Sequence, residues 1–263
     1  MTSKPSKKGR FPWIFFDLDD TIWNFTANSR VALNTLYDIS PILRKLFKTV
    51  EEFIDIYHSY NSYLWLLYGR GEITTSQLKI ERWRRTLATR QFEVLTAVCE
   101  ELESTYLDLL AACEERVEDV DEILSCIAKK AMIGVLSNGF SSTQYKKIRN
   151  SGLDRYINRM VVSEELGINK PDKRLFDFAE QSTGGLRPFL MVGDNPETDI
   201  LGAMKAGWYA VWINPSQKDL PFSDDFLKKE DINSSLFLGN VATLKEALAP
   251  IDNFINLWAE TPY

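Results

Sequence analysis

Two carboxylates, Asp17 and Asp19, stand two positions apart directly after the apolar run Trp13-Ile14-Phe15-Phe16. That run reads as a buried strand. Side chains alternate along a strand, so Asp17 and Asp19 point the same way from its carboxyl end. Paired acids repel unless a cation or a reacting proton uses them, which marks the segment as a candidate metal and phosphate site. Asp-rich stretches after strands also serve as solvated turns, where the side chains cap backbone groups. The residues downstream decide between the two readings.

Three further segments repeat the layout of an apolar strand followed by polar residues. Met132 to Leu136 runs into Ser137-Asn138-Gly139, and Phe189 to Gly193 runs into Asp194-Asn195-Pro196-Glu197-Thr198-Asp199. Between them, Arg159 to Ser163 is followed by Asn169-Lys170-Pro171. Stretches of helical length with amphipathic patterning, Thr143 to Ser151 and Lys173 to Ser182, separate the strands. Strands alternating with helices predict an α/β fold, a parallel sheet with helices on both faces. Ligands of such sheets sit beyond the carboxyl ends of the strands, where every one of these polar clusters falls. Read singly, Ser137 could be a helix N-cap, Lys170 a solvated turn residue, and Asp194 and Asp199 caps of a helix beginning near Asp199.

Asp17-x-Asp19-x-Thr21, Ser137, Lys170-Pro171 and Gly193-Asp194-x-x-x-x-Asp199, in that order, resemble the four motifs of the haloacid dehalogenase superfamily. The resemblance runs from Trp13 to a helix expected to end near Leu248. It implies a Rossmann-like three-layer core and a Mg²⁺-dependent phosphatase acting on a small phosphomonoester. On that likeness Asp17 and Asp194 supply carboxylates to Mg²⁺ and Asp19 its backbone carbonyl, with Asp199 supporting or joining the shell. Asp17 is the nucleophile that forms an aspartyl-phosphate, and Asp19 the acid and base. Ser137, Asn138 through the neighbouring backbone N–H groups, and Lys170 bind phosphate oxygens or balance charge. Haloacid dehalogenases proper work without Mg²⁺ and lack the acid corresponding to Asp19, so its presence points to phosphate rather than halide chemistry.

The intervening chain predicts where the leaving group is chosen. Val50 to Tyr68 reads as one long helix, Thr74-Thr75-Ser76 as the N-cap of a helix running through Trp83 to Leu87, and Val94 to Ala112 as a third. The stretch Asp119 to Lys130 is amphipathic and belongs to the core. An all-helical insert after the nucleophile strand resembles the superfamily's type-one cap. The expected organisation is a basic tail at 1–10, a catalytic core at 11–23 and 114–250, a helical cap at 24–113 and an extension at 251–263. Asn61-x-x-x-Trp65-x-x-Tyr68-x-x-Gly71-x-Ile73-Thr74 with Leu78 and Arg82 is similar to a family of pyrimidine 5′-nucleotidases within the superfamily. That similarity implies pyrimidine nucleoside monophosphates such as UMP, dUMP and dTMP as substrates. Trp23, Trp65, Tyr68 and Phe140 are candidate pocket walls, since aromatic faces suit base stacking. Trp65 and Tyr68 are equally suited to helix packing.

Composition agrees with an ordinary globular protein, at 263 residues with 44% hydrophobic and 26% charged. A net charge of −6 argues against a nucleic-acid polymer as partner. The apolar run before Asp17 is too short for a signal peptide, and no stretch approaches a membrane span, so a cytoplasmic location is expected. Cys99, Cys113 and Cys126 are irregularly spaced and read as small buried residues in a reducing compartment. His58 is the single histidine, which excludes a histidine-built metal site or triad. The segment Ile251 to Tyr263, with Phe254, Ile255, Leu257 and Trp258, is apolar enough to pack on the core or on a partner chain, leaving monomer and homodimer both open. Two readings stand beside the nucleotidase: a sugar-phosphate or phosphoglycolate phosphatase on the same core, and a non-catalytic phosphate-binding module.

Overall fold

The computed structural model describes residues 11–93, 95–184 and 187–260; the basic segment at 1–10, Val94, Gly185, Leu186 and the last three residues lie outside these. Among the described residues, six strands form one parallel sheet: β1 (Trp13–Phe16), β2 (Met132–Ser137), β3 (Arg159–Val162), β4 (Phe189–Gly193), β5 (Tyr209–Ile213) and β6 (Phe237–Val241). Their order is 3-2-1-4-5-6, the doubly wound arrangement in which the chain reverses direction beside β1. Strands β1, β2 and β4 are buried apolar runs because helices cover both faces of the sheet. Four of these strands are legible in the sequence. β5 is an unpatterned apolar run and β6 a half-buried edge containing Gly239, joined to β5 through an irregular register at Ala210/Val211.

The chain divides into two compact units. One comprises residues up to Asn24, Arg116–Gln144 and Ser151 onward; the other comprises Phe25–Glu115 and Tyr145–Asn150. The second is helical, with α1 (Phe25–Ile39), α2 (Pro41–Leu46), α3 (Val50–Gly69), α4 (Thr75–Ala88) and α5 (Thr96–Ala112). Thr49 caps α3, and Thr74 starts α4 with a capping box in which Gln77 returns a bond to the Thr74 backbone. Phe53, Tyr57, Trp83 and Tyr106 form its aromatic core, with Tyr57 and Trp83 ring centres 4.7 Å apart. Inside this core Arg82 forks onto Glu103 at 2.9 and 2.6 Å and reaches Asn61 Oδ1 at 3.0 Å. Trp83 Nε1 donates to the same carboxylate at 2.7 Å. Asn61 and Arg82, part of the nucleotidase-like pattern, thus serve a buried, fully partnered ion pair.

In the sheet-bearing unit, α6 (Val120–Ile127) leads into β2, and α7 (Ser141–Asn150) leaves it, crossing into the helical unit after Gln144. α8 (Lys173–Ser182) precedes β4, as the sequence predicts to the residue. A π-helical turn at Pro196–Leu201 opens α9 (Gly202–Lys205), and α10 (Asp224–Lys229) lies between β5 and β6. Several boundaries differ from expectation. α6 is shorter than Asp119–Lys130, and α7 begins two residues before Thr143 because the Glu164 carboxylate takes the Ser141 N–H. The helix expected to end near Leu248 begins there: α11 (Leu248–Glu260) turns Ile251, Phe254 and Trp258 inward, with Phe254 edge-on to Tyr209. Cys99 is buried as expected. Cys113 and Cys126 are partly exposed, at a helix end and on the half-buried side of α6, and all three are free thiols.

Candidate active site

The loop after β1 is held by its apolar residues. Asp17 N donates to Val192 O at 2.9 Å, carrying the ladder one residue past the strand and seating Asp17 on the sheet end. Leu18, Ile22 and Trp23 are buried, and the Ile22 and Trp23 N–H groups both close on Leu18 O. Asp20 turns the corner in the left-handed region at φ 56° and donates its N–H to Trp23 O. Asp19 is thereby fixed at the start of a tight loop next to Asp17.

The other strand ends converge on the same place. Lys170 is 1% exposed and gives all three ammonium protons to oxygens: Asp17 Oδ1 at 2.5 Å, Asp199 Oδ1 at 2.7 Å and Leu136 O at 2.7 Å. Its backbone is clamped by Asn138, whose amide donates to Lys170 O at 2.9 Å and accepts from Lys170 N at 2.8 Å. The Asn138 side chain is therefore held by the Lys170 backbone, and its backbone N–H is free of that clamp for the anion role expected of it. Asp199 also accepts from Asn195 N at 3.0 Å and the Thr198 hydroxyl at 3.2 Å. It can sit there because residue 193 is glycine: a Cβ would lie 2.3 Å from Asp199 Oδ2. Trp212 Nε1 donates to Asp194 O at 2.8 Å, pinning the loop after β4.

One oxygen from each of Asp17, Asp194 and Asp199 falls within 4.8 Å of the others. Burial pushes the Asp17 carboxyl up to about 7, with Asp199 and Asp19 adding to the shift and Lys170 opposing it. Asp194 is raised well above the ordinary carboxylate range by burial and by Asp199, Asp17 and Asp20. Burial disfavours the Lys170 ammonium, yet Asp17 and Asp199 outweigh it and hold the group above the usual lysine value. When ionised, three carboxylates facing one ammonium leave two negative charges unbalanced, which is what resists their ionisation here. An all-oxygen donor set with that deficit fits a hard divalent cation.

Ser137 ends β2 and Asp19 follows β1, and a residue outside the motifs joins them. Gln144 Nε2 donates to Asp19 Oδ2 at 2.8 Å and to Ser137 Oγ at 2.7 Å. The structure thus brings together Asp17, Asp19, Ser137, Asn138, Lys170, Asp194 and Asp199. Trp23 and Phe140 are buried in the same unit. Trp65 and Tyr68 belong to the helical unit, where their rings meet edge to face at 5.5 Å and the Tyr68 hydroxyl accepts from Thr75. Gln144 and Trp212 were not singled out from sequence. Gln144 had one usable signal, a polar residue one helical turn beyond a strand-end Ser-Asn-Gly.

This geometry coincides with a match of residues 11–207 to the model of haloacid dehalogenase-like hydrolases. The chain belongs to that family. It is 34% identical over 218 residues to pyrimidine 5′-nucleotidase YjjG of Escherichia coli, covering 81% of this chain and 90% of that one. It is 27% identical over 208 residues to pyrimidine 5′-nucleotidase PynA of Streptococcus pneumoniae, covering 78% and 84%. Among solved structures it resembles the HAD-hydrolase YfnB of Bacillus subtilis bound to magnesium, with a TM-score of 0.77, 25% identity, and 92% and 99% of the chains covered. No helix among the described residues is long and apolar enough to cross a membrane.

Proposed function

We propose that this protein is a Mg²⁺-dependent phosphomonoesterase that hydrolyses pyrimidine nucleoside 5′-monophosphates through an aspartyl-phosphate on Asp17. The observation that carries the chemistry is the buried Asp17–Lys170–Asp199 cluster with Asp194 beside it, poorer in positive charge than in negative. The substrate class rests on the likeness to two pyrimidine 5′-nucleotidases. Asp17, Asp194 and Asp199 would hold Mg²⁺, with the Asp19 carbonyl. When bound, the ion neutralises carboxylate and phosphate charge and favours the ionised form of Asp17.

The remaining work falls to side chains. An Asp17 carboxylate oxygen attacks phosphorus as the bond to the leaving oxygen breaks, and the proton of the Asp19 carboxyl passes to that oxygen. The nucleoside leaves with phosphate attached to Asp17. Water then attacks phosphorus, gives its proton to the Asp19 carboxylate, and frees Asp17 and inorganic phosphate. Lys170 has no proton left to donate to phosphate in this arrangement, so its contribution is to hold and offset two carboxylates. Ser137 Oγ–H and nearby backbone N–H groups bind phosphate oxygens. Residues 24–113 are read as a helical cap that chooses the leaving group, with Trp65 and Tyr68 as its candidate aromatic contacts. Residues 11–23 and 114–250 form the catalytic core of this reading.

The test is a panel of nucleoside monophosphates, sugar phosphates and phosphoglycolate assayed with Mg²⁺ and with chelator. Pyrimidine monophosphates should have the highest kcat/KM, and chelator should abolish turnover. Preference for a sugar phosphate or glycolate ester over UMP and dTMP overturns the substrate assignment. Undiminished activity in chelator overturns the metal.

A further inference from the structure

Gln144 sits on the first turn of α7 and is 1% exposed. Its backbone N–H closes on Phe140 O at 2.9 Å. The helix start is tied down by Glu164, which accepts from Ser141 N at 2.7 Å, and by Glu165, which accepts from the Ser141 hydroxyl at 3.0 Å. The side-chain amide faces two oxygens, Asp19 Oδ2 and Ser137 Oγ. The atom facing both is the amide nitrogen, which has two protons for two partners.

The consequence for Ser137 follows from counting. A hydroxyl has one proton and two acceptor sites. Ser137 Oγ accepts from Gly139 N at 3.2 Å and from Gln144 Nε2 at 2.7 Å, which fills both. Its own proton can only be given away. Residue 139 must also leave room for the amide: a Cβ there would lie 2.3 Å from Gln144 Nε2 and 2.4 Å from Cδ. The nearest atoms belong to the end of a flexible side chain, so a methyl group at 139 displaces the amide before it strains the backbone.

We propose that Gln144 is a positioning residue of the active site, with Gly139 as the glycine that admits its amide. It holds Asp19 for proton transfer and fixes the Ser137 hydroxyl as a donor toward the phosphate. As the P–O bond breaks and Asp19 passes its proton to the leaving oxygen, the carboxylate left behind keeps the Gln144 hydrogen bond. The first half of this role rests on the phosphatase reading; the second requires only that the site binds phosphate.

Gln144→Leu keeps the bulk of the side chain and removes both donors. Its kcat/KM is compared with wild type, in Mg²⁺, on p-nitrophenyl phosphate and on whichever alkyl phosphate the wild type turns over best. Nitrophenolate leaves without a proton, whereas an alkoxide needs one. Loss on the alkyl ester should be on the order of 10²-fold, the scale of general acid catalysis, and much smaller on the aryl ester. Gly139→Ala, which displaces the amide by its methyl group, should reproduce that pattern. It carries the test by itself if Gln144→Leu fails to fold. Equal loss on both esters in either variant overturns the proposal. If the wild type hydrolyses neither ester, the phosphatase reading falls instead. Calorimetric titration with inorganic phosphate then decides the Ser137 half. Gln144→Leu should weaken binding about tenfold, as loss of one ordered hydrogen bond to a charged group implies. Unchanged affinity overturns it.

Discussion

Lys170→Met removes the cation that faces three acids while nearly preserving side-chain length. Lys170 Nζ lies 2.5 Å from Asp17 Oδ1 and 2.7 Å from Asp199 Oδ1, and the residue is 1% exposed, so neither water nor another cation can replace it without rearrangement. Removing one partner of a buried ion pair costs ~3–5 kcal/mol, because the other charge is left uncompensated. At about 2–4 °C per kcal/mol for a chain of this size, the thermal midpoint should fall by roughly 6–20 °C at pH 7.5 in chelator. The pH dependence has a definite sign. Asp17 in the folded protein is raised from 3.8 to about 7, so between those values the folded state binds the extra proton and stability falls as pH rises. Without Lys170 the upper end of that window moves higher. The deficit of Lys170→Met should therefore narrow at pH 5, where Asp17 is protonated, and widen toward pH 8. Thermal melts followed by circular dichroism, with and without Mg²⁺, read both effects, and Mg²⁺ should restore part of the loss. A midpoint within 2 °C of wild type at pH 7.5, or a deficit that grows on acidification, refutes the reasoning.

Other perturbations test other links. Gly193→Ala would place a Cβ 2.3 Å from Asp199 Oδ2, so kcat should drop by at least about tenfold with the fold intact, a change of ~1.4 kcal/mol in the barrier; wild-type turnover means that the close approach is dispensable. In the helical unit, Arg82→Met should destabilise by ~3–5 kcal/mol in denaturant melts by stranding Glu103, and adding Glu103→Leu should recover much of that loss. Additive losses would mean that the pair is not coupled. His58, the single histidine, is shifted below its ordinary 6.5 by burial and by Arg30, with Asp55 opposing. Its stabilising contribution is present above pH 6.5 and lost as pH falls toward the folded value. One imidazole signal titrated by NMR should give a midpoint below 6.5; a higher one contradicts the burial argument.

The sequence made the catalytic core legible because parallel strands are short apolar runs and the chemistry follows their carboxyl ends. Asp17, Ser137, Lys170 and Asp194 each stand directly after or just beyond such a run, so pattern and function coincide. β6 escaped notice because a half-buried edge strand has no such run, and β5 because its apolar run has no acid or lysine behind it. Gln144 was hidden for a different reason. A glutamine on a helix is ordinarily solvated, and only the approach of α7 to two strand ends makes it a buried donor. Asn61 and Arg82 show a different limit of the sequence. They carry part of the pattern shared with the pyrimidine 5′-nucleotidases, and inside the helical unit both are buried in a forked ion pair with Glu103. Spacing reports which side chains share a helix face; it does not report which neighbour waits there.

The central claim is that Asp17 takes the phosphoryl group, and its most direct test is chemical trapping. Enzyme mixed with excess UMP and Mg²⁺ is quenched within the first turnovers and treated with borohydride, which reduces an acyl phosphate to an alcohol but leaves a free carboxylate untouched. Peptide mapping should find homoserine in place of aspartate at Asp17, and no reduction without substrate. Reduction at a different carboxylate, or none while UMP is being hydrolysed, contradicts the account.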